Sequence, residues 1–246
     1  SNYDDKLIIG KTTINQANFD VLIFCSQCLN QITIPDFIEI IPPYTFDKFH
    51  NLNIVQISSN SKLRIIERNA FSHSSIYEIL IPSNVIKIDQ CAFYDCSKLK
   101  TAEISRNSEL QEIGIEAFDH SSIGRIFIPF KITQIKEGTF YHCIFLNTVE
   151  FDSNSQLRII DNEAFAHSKI NSIIIPAFVE KINYQAFDRC HIQKIDFSLS
   201  SNLQIIGYNA FNGNKFHSIF LPSSLQIIDE YAFNDCDDLE YVKIPE

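Results

Sequence analysis

The stretch Ser75–Phe93, SIYEILIPSNVIKIDQCAF, recurs along the chain almost to its end. Within it Ile76, Ile79 and Ile81 are apolar, and Pro82 closes the run. The opening apolar residue returns as Leu29, Leu52, Ile76, Leu99, Ile123, Leu146, Ile170, Ile192, Phe216 and Leu239, at steps of 22 to 24 residues. Three residues later stand Ile32, Val55, Ile79, Ala102, Ile126, Val149, Ile173, Ile195, Ile219 and Val242, and two beyond those Ile34, Ile57, Ile81, Ile104, Ile128, Phe151, Ile175, Phe197, Leu221 and Ile244. A second anchor trails each run, a small residue followed by phenylalanine: Ala70-Phe71, Ala92-Phe93, Ala117-Phe118, Thr139-Phe140, Ala164-Phe165, Ala186-Phe187, Ala210-Phe211 and Ala232-Phe233.

A fixed period in the low twenties is the signature of a solenoid, in which each coil buries its apolar face only against its neighbours. The short run reads as a strand: its last apolar pair alternates at period two and β-branched isoleucine dominates it. Proline then ends it, having no N–H for the ladder. With strands about 4.8 Å apart, ten coils make a rod or arc roughly 45 to 50 Å long. The Phe column fills the opposite side of the core, and the alanine before it lets coils approach closely. From Phe24 onward the Phe spacing alternates between 22 and 25 residues almost throughout, so the true repeat is a coil pair of about 47 residues. Coils ending at Ile81-Pro82, Ile128-Pro129, Ile175-Pro176 and Leu221-Pro222 alternate with coils carrying Ser/Asn-rich turns at Ser58–Ser61, Ser105–Ser108, Asp152–Ser155 and Ser198–Asn202. Such side chains bond neighbouring backbone groups in turns.

The unit L-x-x-I-x-I-P, V-x-x-I, A-F-x-x-C resembles the leucine-rich repeat of the bacterial surface protein A type, also described as the Treponema type. Residues 24–246 carry it, and Ile76, Ile79, Ile81, Pro82, Val85, Ile88, Ala92, Phe93 and Cys96 supply every anchor in one copy. The chain departs in lacking the usual Gly before A-F, where Asp89, Gln90 and Cys91 stand, and in the alternate Ser/Asn turns. The resemblance implies a curved, right-handed leucine-rich-repeat solenoid, mainly β with turns and short helical or 3-10 segments, with a parallel sheet on its concave face. It further implies a non-enzymatic protein, commonly at the cell surface or secreted, that binds other proteins such as host matrix components. Residues 1–23 fit the template poorly and read as an N-terminal cap or degenerate coil, although Leu7, Ile8 and Ile9 can form an extra strand and Ile23-Phe24 fits the Phe anchor. Residues 24–246 read as about ten coils, the last broken off mid-coil at Pro245-Glu246. Because the chain of 246 residues holds no methionine, it reads as part of a longer product.

A hydrophobic content of 45% supports a sizeable core. The formal charge of −10 argues against a nucleic-acid partner and against an anionic membrane surface. No apolar run is long enough for a membrane helix, and no signal-peptide pattern opens the chain. Cys25 and Cys28 form a CxxC, weak as a metal or redox signal without a second pair. Counting three residues back from each strand start gives an alternating column His73, Cys96, His120, Cys143 and His167, open to a metal ladder or, as the resemblance has it, to buried packing thiols. Cysteines two coils apart are too distant for disulfides, whose Cα atoms lie within about 7 Å, so free thiols are expected. Free thiols and the lack of any Asn-x-Ser/Thr acceptor leave an intracellular adaptor open beside the surface reading. Asp235, Asp237, Asp238 and Glu240 could attract calcium but lack an EF-hand order and read as a solvated turn. No catalytic fingerprint occurs, so no enzyme activity and no cofactor are expected.

The outward residues between the core pair form a column Thr33, Gln56, Leu80, Glu103, Phe127, Glu150, Ile174, Asp196, Phe220 and Lys243, in which apolar and acidic residues alternate over seven coils. A second column, Gln31, Ile54, Glu78, Thr101, Arg125, Thr148, Ser172, Lys194, Ser218 and Tyr241, is polar and mixed. Contiguous exposed apolar area marks interfaces. A protein partner docking on the strand face at Leu80, Phe127, Ile174 and Phe220, with Glu103, Glu150 and Asp196 giving charge selectivity, is the expected function. Against it stand an alternation inherited from duplication of the coil pair, and a structural, homo-oligomeric element.

Overall fold

The structure, a computed structural model, describes residues 2–3, 7–11, 20–25 and 28–244, of which 2, 3, 7 and 23–25 by their backbone. The chain winds through about nine turns of a β-solenoid. Each complete turn contributes one long strand, one two-residue strand and one stretch of consecutive turns. The long strands are Gln31–Ile34, Ile54–Ile57, Glu78–Ile81, Thr101–Ile104, Arg125–Ile128, Thr148–Phe151, Ser172–Ile175, Lys194–Phe197, Ser218–Phe220 and Tyr241–Lys243. The short strands run from Ile40–Ile41 to Ile227–Ile228.

Equivalent positions stack. Within the parallel pairs Ile79 faces Ala102, Ile126 faces Val149 and Ile173 faces Ile195. On the far side nine rings, Phe46, Phe71, Phe93, Phe118, Phe140, Phe165, Phe187, Phe211 and Phe233, form one spine with neighbouring centroids 4.8–5.7 Å apart and planes within 13° of parallel. From Phe71 on, the small residue before each ring is buried, and its carbonyl accepts the N–H of the preceding coil's Phe, as in Phe71 to Ala92 at 2.8 Å and Phe93 to Ala117 at 2.7 Å. A larger residue at that position would wedge these coils apart.

The 47-residue coil pair is visible in the long-strand sheet. Glu78–Ile81 pairs over its whole length with Thr101–Ile104, Arg125–Ile128 with Thr148–Phe151, and Ser172–Ile175 with Lys194–Phe197. The ladder is interrupted between these pairs. The turns after the Phe spine also vary in length: Leu99 lies six positions after Phe93, Ile123 five after Phe118, and Ile192 again five after Phe187. The short strands are broken only once, between Glu112–Ile113 and Gln134–Ile135. The Ser/Asn turns behave as expected: Ser61, Ser108, Ser155 and Ser201 each accept, through the hydroxyl, the N–H two residues on.

Three expectations are revised. No helix or 3-10 segment occurs among the described residues; the segment around each Phe consists of β-turns instead. Residues two before and two after each Phe are left-handed, as in Asn69 and His73 (both φ 55°) or Glu116 (φ 54°) and His120 (φ 55°). Their N–H groups bond to the next coil, while the intervening N–H groups bond back three residues, so every second amide is directed outward to the stack. The His/Cys column also separates into two. Cys96 and Cys143 stand three residues after their Phe, alternating with Ser74, Ser121 and Ser168, whereas His73, His120 and His167 occupy the neighbouring left-handed row. Each thiol of the inner row donates to a Phe carbonyl one coil back, Cys96 to Phe71, Cys143 to Phe118 and Cys190 to Phe165, all at 3.0 Å. Burial pushes these three thiols up to about 12, which leaves them protonated and unreactive. Finally, Leu7–Gly10 is a strand, but antiparallel to Val21–Cys25, which in turn pairs Val21 with Ile40 of the first short strand. Phe24 thus lies in a strand rather than a turn; the side chains of Ile23, Phe24 and Cys25, and residues Pro245 and Glu246, fall outside the described set.

Candidate interaction face

Long strands are pleated, so their alternate residues leave the core and point outward. Ile79 and Ile81 are buried while Glu78 is exposed and Leu80 half-buried between them. The outward row runs as the sequence predicts, in register across each bonded pair: Leu80 opposite Glu103, Phe127 opposite Glu150, Ile174 opposite Asp196. Apolar and acidic side chains therefore alternate as nearest neighbours on this face.

Its members are not equivalent. Ile174 and Phe220 are 63% and 56% exposed, a large area for apolar side chains, whereas Leu80 and Phe127 are half-buried. Phe127 is sheltered by Arg106, whose guanidinium carbon lies 5.0 Å from the ring centroid and whose Nη2 reaches Glu150 Oε1 at 2.6 Å. Lys194 Nζ lies 2.9 Å from Asp196 Oδ2. Both ion pairs are solvent-exposed, so each is worth at most about 1 kcal/mol and is open to exchange. Phe220 leans on Tyr241, ring centroids 5.9 Å apart.

Two hollows open where the ladder is interrupted. One, of about 500 Å³, is centred on the junction between Thr101–Ile104 and Arg125–Ile128 and is lined by Leu80, Glu103, Arg106, Arg125, Phe127 and Glu150. The other, of about 640 Å³, lies at the junction before Ser172–Ile175 and is lined by Glu150, Ile174, Phe178, Lys194 and Asp196. The two adjoin at Thr148 and Glu150, which line both. Arg106 and Phe178 were not singled out from the sequence, because they stand in turns that vary from coil to coil and have no counterpart in the repeating anchors. Only their place at the rim of a hollow brings them in.

Elsewhere on the turn face, His142 stacks on His120, ring centroids 4.8 Å apart, and lies tilted by 38° against His167 at 4.6 Å, with Asp119 against His120 and Asp188 3.7 Å from His167. Burial raises the Asp119 carboxyl to about 6, opposed by its bond to His120. Burial, and then the neighbouring His167 and His120, lower His142 below the ordinary imidazole value. Among the described residues no group of three or more His, Cys, Asp or Glu side chains is arranged to hold a metal ion, and no helix is long and apolar enough to cross a membrane.

The BspA type leucine rich repeat region matches the chain in six copies, over residues 17–147 and 139–246. Solved structures share the architecture at low identity. A leucine-rich repeat protein from Bacteroides ovatus aligns over 99% of this chain and 89% of its own, with TM-score 0.50 and 17% identity. The pneumococcal vaccine antigen PcpA aligns over 97% and 70%, with TM-score 0.60 and 18% identity. A leucine-rich repeat protein from Eubacterium ventriosum aligns over 87% and 60%, with TM-score 0.53 and 19% identity. No curated protein matches the chain in sequence. These relatives are repeat proteins rather than enzymes, and at such identities they speak to the fold alone. With the repeat register, the phenylalanine spine and the family match in agreement over nearly the whole chain, this protein belongs to the BspA-type leucine-rich repeat family.

Proposed function

We propose that the chain is a non-enzymatic protein-binding scaffold, displayed at a cell surface or secreted, that docks a partner protein on its long-strand face. The observation that carries the reading is the outward row, in which Ile174 and Phe220 stand uncovered, Ile174 at a hollow that Glu150 and Asp196 also line. Uncovered apolar side chains in a concave, charged frame are the usual centre of an interface, the apolar anchors giving affinity and the charges giving orientation. Glu103, Glu150 and Asp196 are the selectivity residues, Leu80 and Phe127 a secondary apolar pair. The description of one structure of this fold as a vaccine antigen favours the surface location.

The double substitution Ile174→Ser/Phe220→Ser tests the face. By surface plasmon resonance against a panel of extracellular matrix proteins, it weakens any interaction of the wild type at least tenfold, while the thermal unfolding midpoint stays nearly unchanged because both side chains are already exposed. Binding unaffected by the double substitution overturns the reading. A homo-oligomer burying the same face is the competing reading: it predicts sedimentation that depends on concentration in the wild type and not in the variant.

A further inference from the structure

Neighbouring coils can bond along three sides: the long strands, the short strands, and the turns around the phenylalanine spine. At one junction two of the three are missing. Between the coil of Thr101–Ile104 and Glu112–Ile113 and the coil of Arg125–Ile128 and Gln134–Ile135, the long-strand and short-strand ladders both stop. At other junctions the short-strand side carries a recurring set of bonds, as where Glu180 and Lys181 donate to the Arg158 carbonyl and Asn183 to that of Ile160. The equivalent Thr133, Gln134 and Lys136 donate to no carbonyl of the preceding coil. The turn side holds: the N–H groups of Glu116, Phe118 and His120 reach Glu137, Thr139 and Tyr141 at 2.9–3.0 Å, and that of Gly124 reaches Lys100 at 3.1 Å.

One side chain accounts for the gap. From Phe71 on, the residue before each spine ring is alanine except at this junction, where it is the fully buried Thr139. Its Oγ1 donates to the Lys136 carbonyl at 2.7 Å and lies 3.4 Å from that of Gly114 in the preceding coil. Hydroxyl and methyl thus occupy the space that alanine leaves for close approach. The Phe118 and Phe140 rings stand 5.6 Å apart, against 4.8–5.3 Å at every other step up to Phe211. Across the two open sides run ion pairs, Lys131 to Glu109, Lys136 Nζ to Glu112 Oε1 at 2.6 Å, and Arg106 to Glu150. Their six side chains are 30–70% exposed, so the pairs are weak and yield to salt.

We propose that this junction is a hinge, with Thr139 as its wedge, the turn side as its pivot and the exposed ion pairs as straps across its open sides. Residues 28–122 and 123–244 move about it as two blocks, the few residues at the pivot absorbing the change. The hollow of about 500 Å³ lies on an open side, so bending sets the separation of Leu80 and Glu103 from Phe127 and Glu150. The hinge stands on the junction itself and needs no partner on the long-strand face.

Double electron–electron resonance between nitroxides carried on p-acetylphenylalanine, which leaves the native thiols alone, tests it. One pair replaces Arg64 and Arg158, four coils apart across the hinge; the other replaces Thr133 and Gln226, four coils apart within one block, all four positions being exposed. At low salt the first distance distribution is expected to be at least twice as wide as the second. It widens further at about 1 M NaCl, where the screening length is about 3 Å, while the second does not change. Thr139→Ala narrows the first pair to the width of the second. Ala186→Thr sets a wedge inside the second span and widens that pair at least twofold, an independent check if Thr139→Ala fails to fold. Equal widths for the two pairs in the unaltered chain overturn the hinge. A wide first distribution that salt leaves unchanged overturns the straps, and one that Thr139→Ala leaves wide, or a folded Ala186→Thr with the second pair still narrow, overturns the wedge.

Discussion

A phenylalanine in the middle of the spine is stacked on both sides, and its energetic weight follows from that. Phe118 lies 5.0 Å from the Phe93 ring and 5.6 Å from that of Phe140, with no exposure. Phe118→Ala leaves a cavity that rigid flanking rings cannot close and is expected to cost about 3–5 kcal/mol in urea unfolding. Phe233 packs against Phe211 but is only partly buried, so Phe233→Ala is expected to cost distinctly less. On the turn face the relevant variable is pH. Because His142 is held below its ordinary value, the unfolded chain takes up its proton first as pH falls, and stability drawn from the neutral ring is complete above about pH 6.5 and lost below it. Asp119, raised to about 6, works in the opposite sense, so the His142 contribution must be isolated by difference. Asn tolerates the left-handed backbone at position 142 (φ 51°), making His142→Asn the suitable comparison. The wild type's margin in melting temperature over His142→Asn should narrow between pH 7.5 and pH 5; a constant or widening margin contradicts the assignment.

At the level of the element, coil-to-coil distance is set by backbone approach as much as by side chains. Gly114 follows the short strand Glu112–Ile113, and its N–H continues that ladder to Ile88 at 2.8 Å. A methyl group there would stand 2.4 Å from the backbone nitrogen of Gln90, closer than any packing tolerates. At Gly207 the nearest atom, the Asn183 carbonyl carbon, would be 2.9 Å away. Gly114→Ala is therefore expected to lower stability by about 1–3 kcal/mol and Gly207→Ala by less, read from chemical denaturation midpoints. The elements also show which parts of the fold sequence can carry. Strands and spine were legible because burial selects isoleucine and phenylalanine at every lap. The turn face was not, because its left-handed positions include Lys48, Glu116, Gln185 and Arg189, residues with no preference for that conformation; the stack imposes it through hydrogen bonds. The His/Cys misalignment has the same origin. Counting from strands mixes turns of unequal length, whereas counting from Phe places Cys96 level with Ser121 and His73 level with His120. On the strand face the row itself could be read, but the sheltering of Phe127 by Arg106 and the hollows at the ladder breaks depend on where variable turns lie in space.

For the molecule as a whole, backbone and core contacts run between adjacent coils, the exposed Arg106–Glu150 pair reaching across one, so stability is close to a sum of coil terms and interface terms, and an interface is preserved only when its two sides belong together. The alternating interfaces here differ chemically. Where Ser74 meets Cys96, or Ser121 meets Cys143, hydroxyl and thiol sulfur lie 3.5 and 3.4 Å apart and the long strands that follow are bonded along their length, whereas between the Cys96 coil and the Ser121 coil the ladder is interrupted. The smallest piece that can be removed without creating a new kind of interface is thus the pair, not the coil. Deleting residues 76–122, a full pair of 47, joins Ser75 to Ile123, which occupies the position of Ile76, and rebuilds the same alternation. Deleting 76–98 alone joins Ser75 to Leu99 and stacks the Ser74 turn directly on the Ser121 turn, with no cysteine between. The longer deletion should unfold cooperatively with a denaturant dependence reduced in proportion to the surface removed, and the shorter should be the less stable of the two despite keeping more residues. If the single-coil deletion proved as stable as the pair deletion, the coil pair would be a trace of duplication in the sequence and not the mechanical unit of the solenoid.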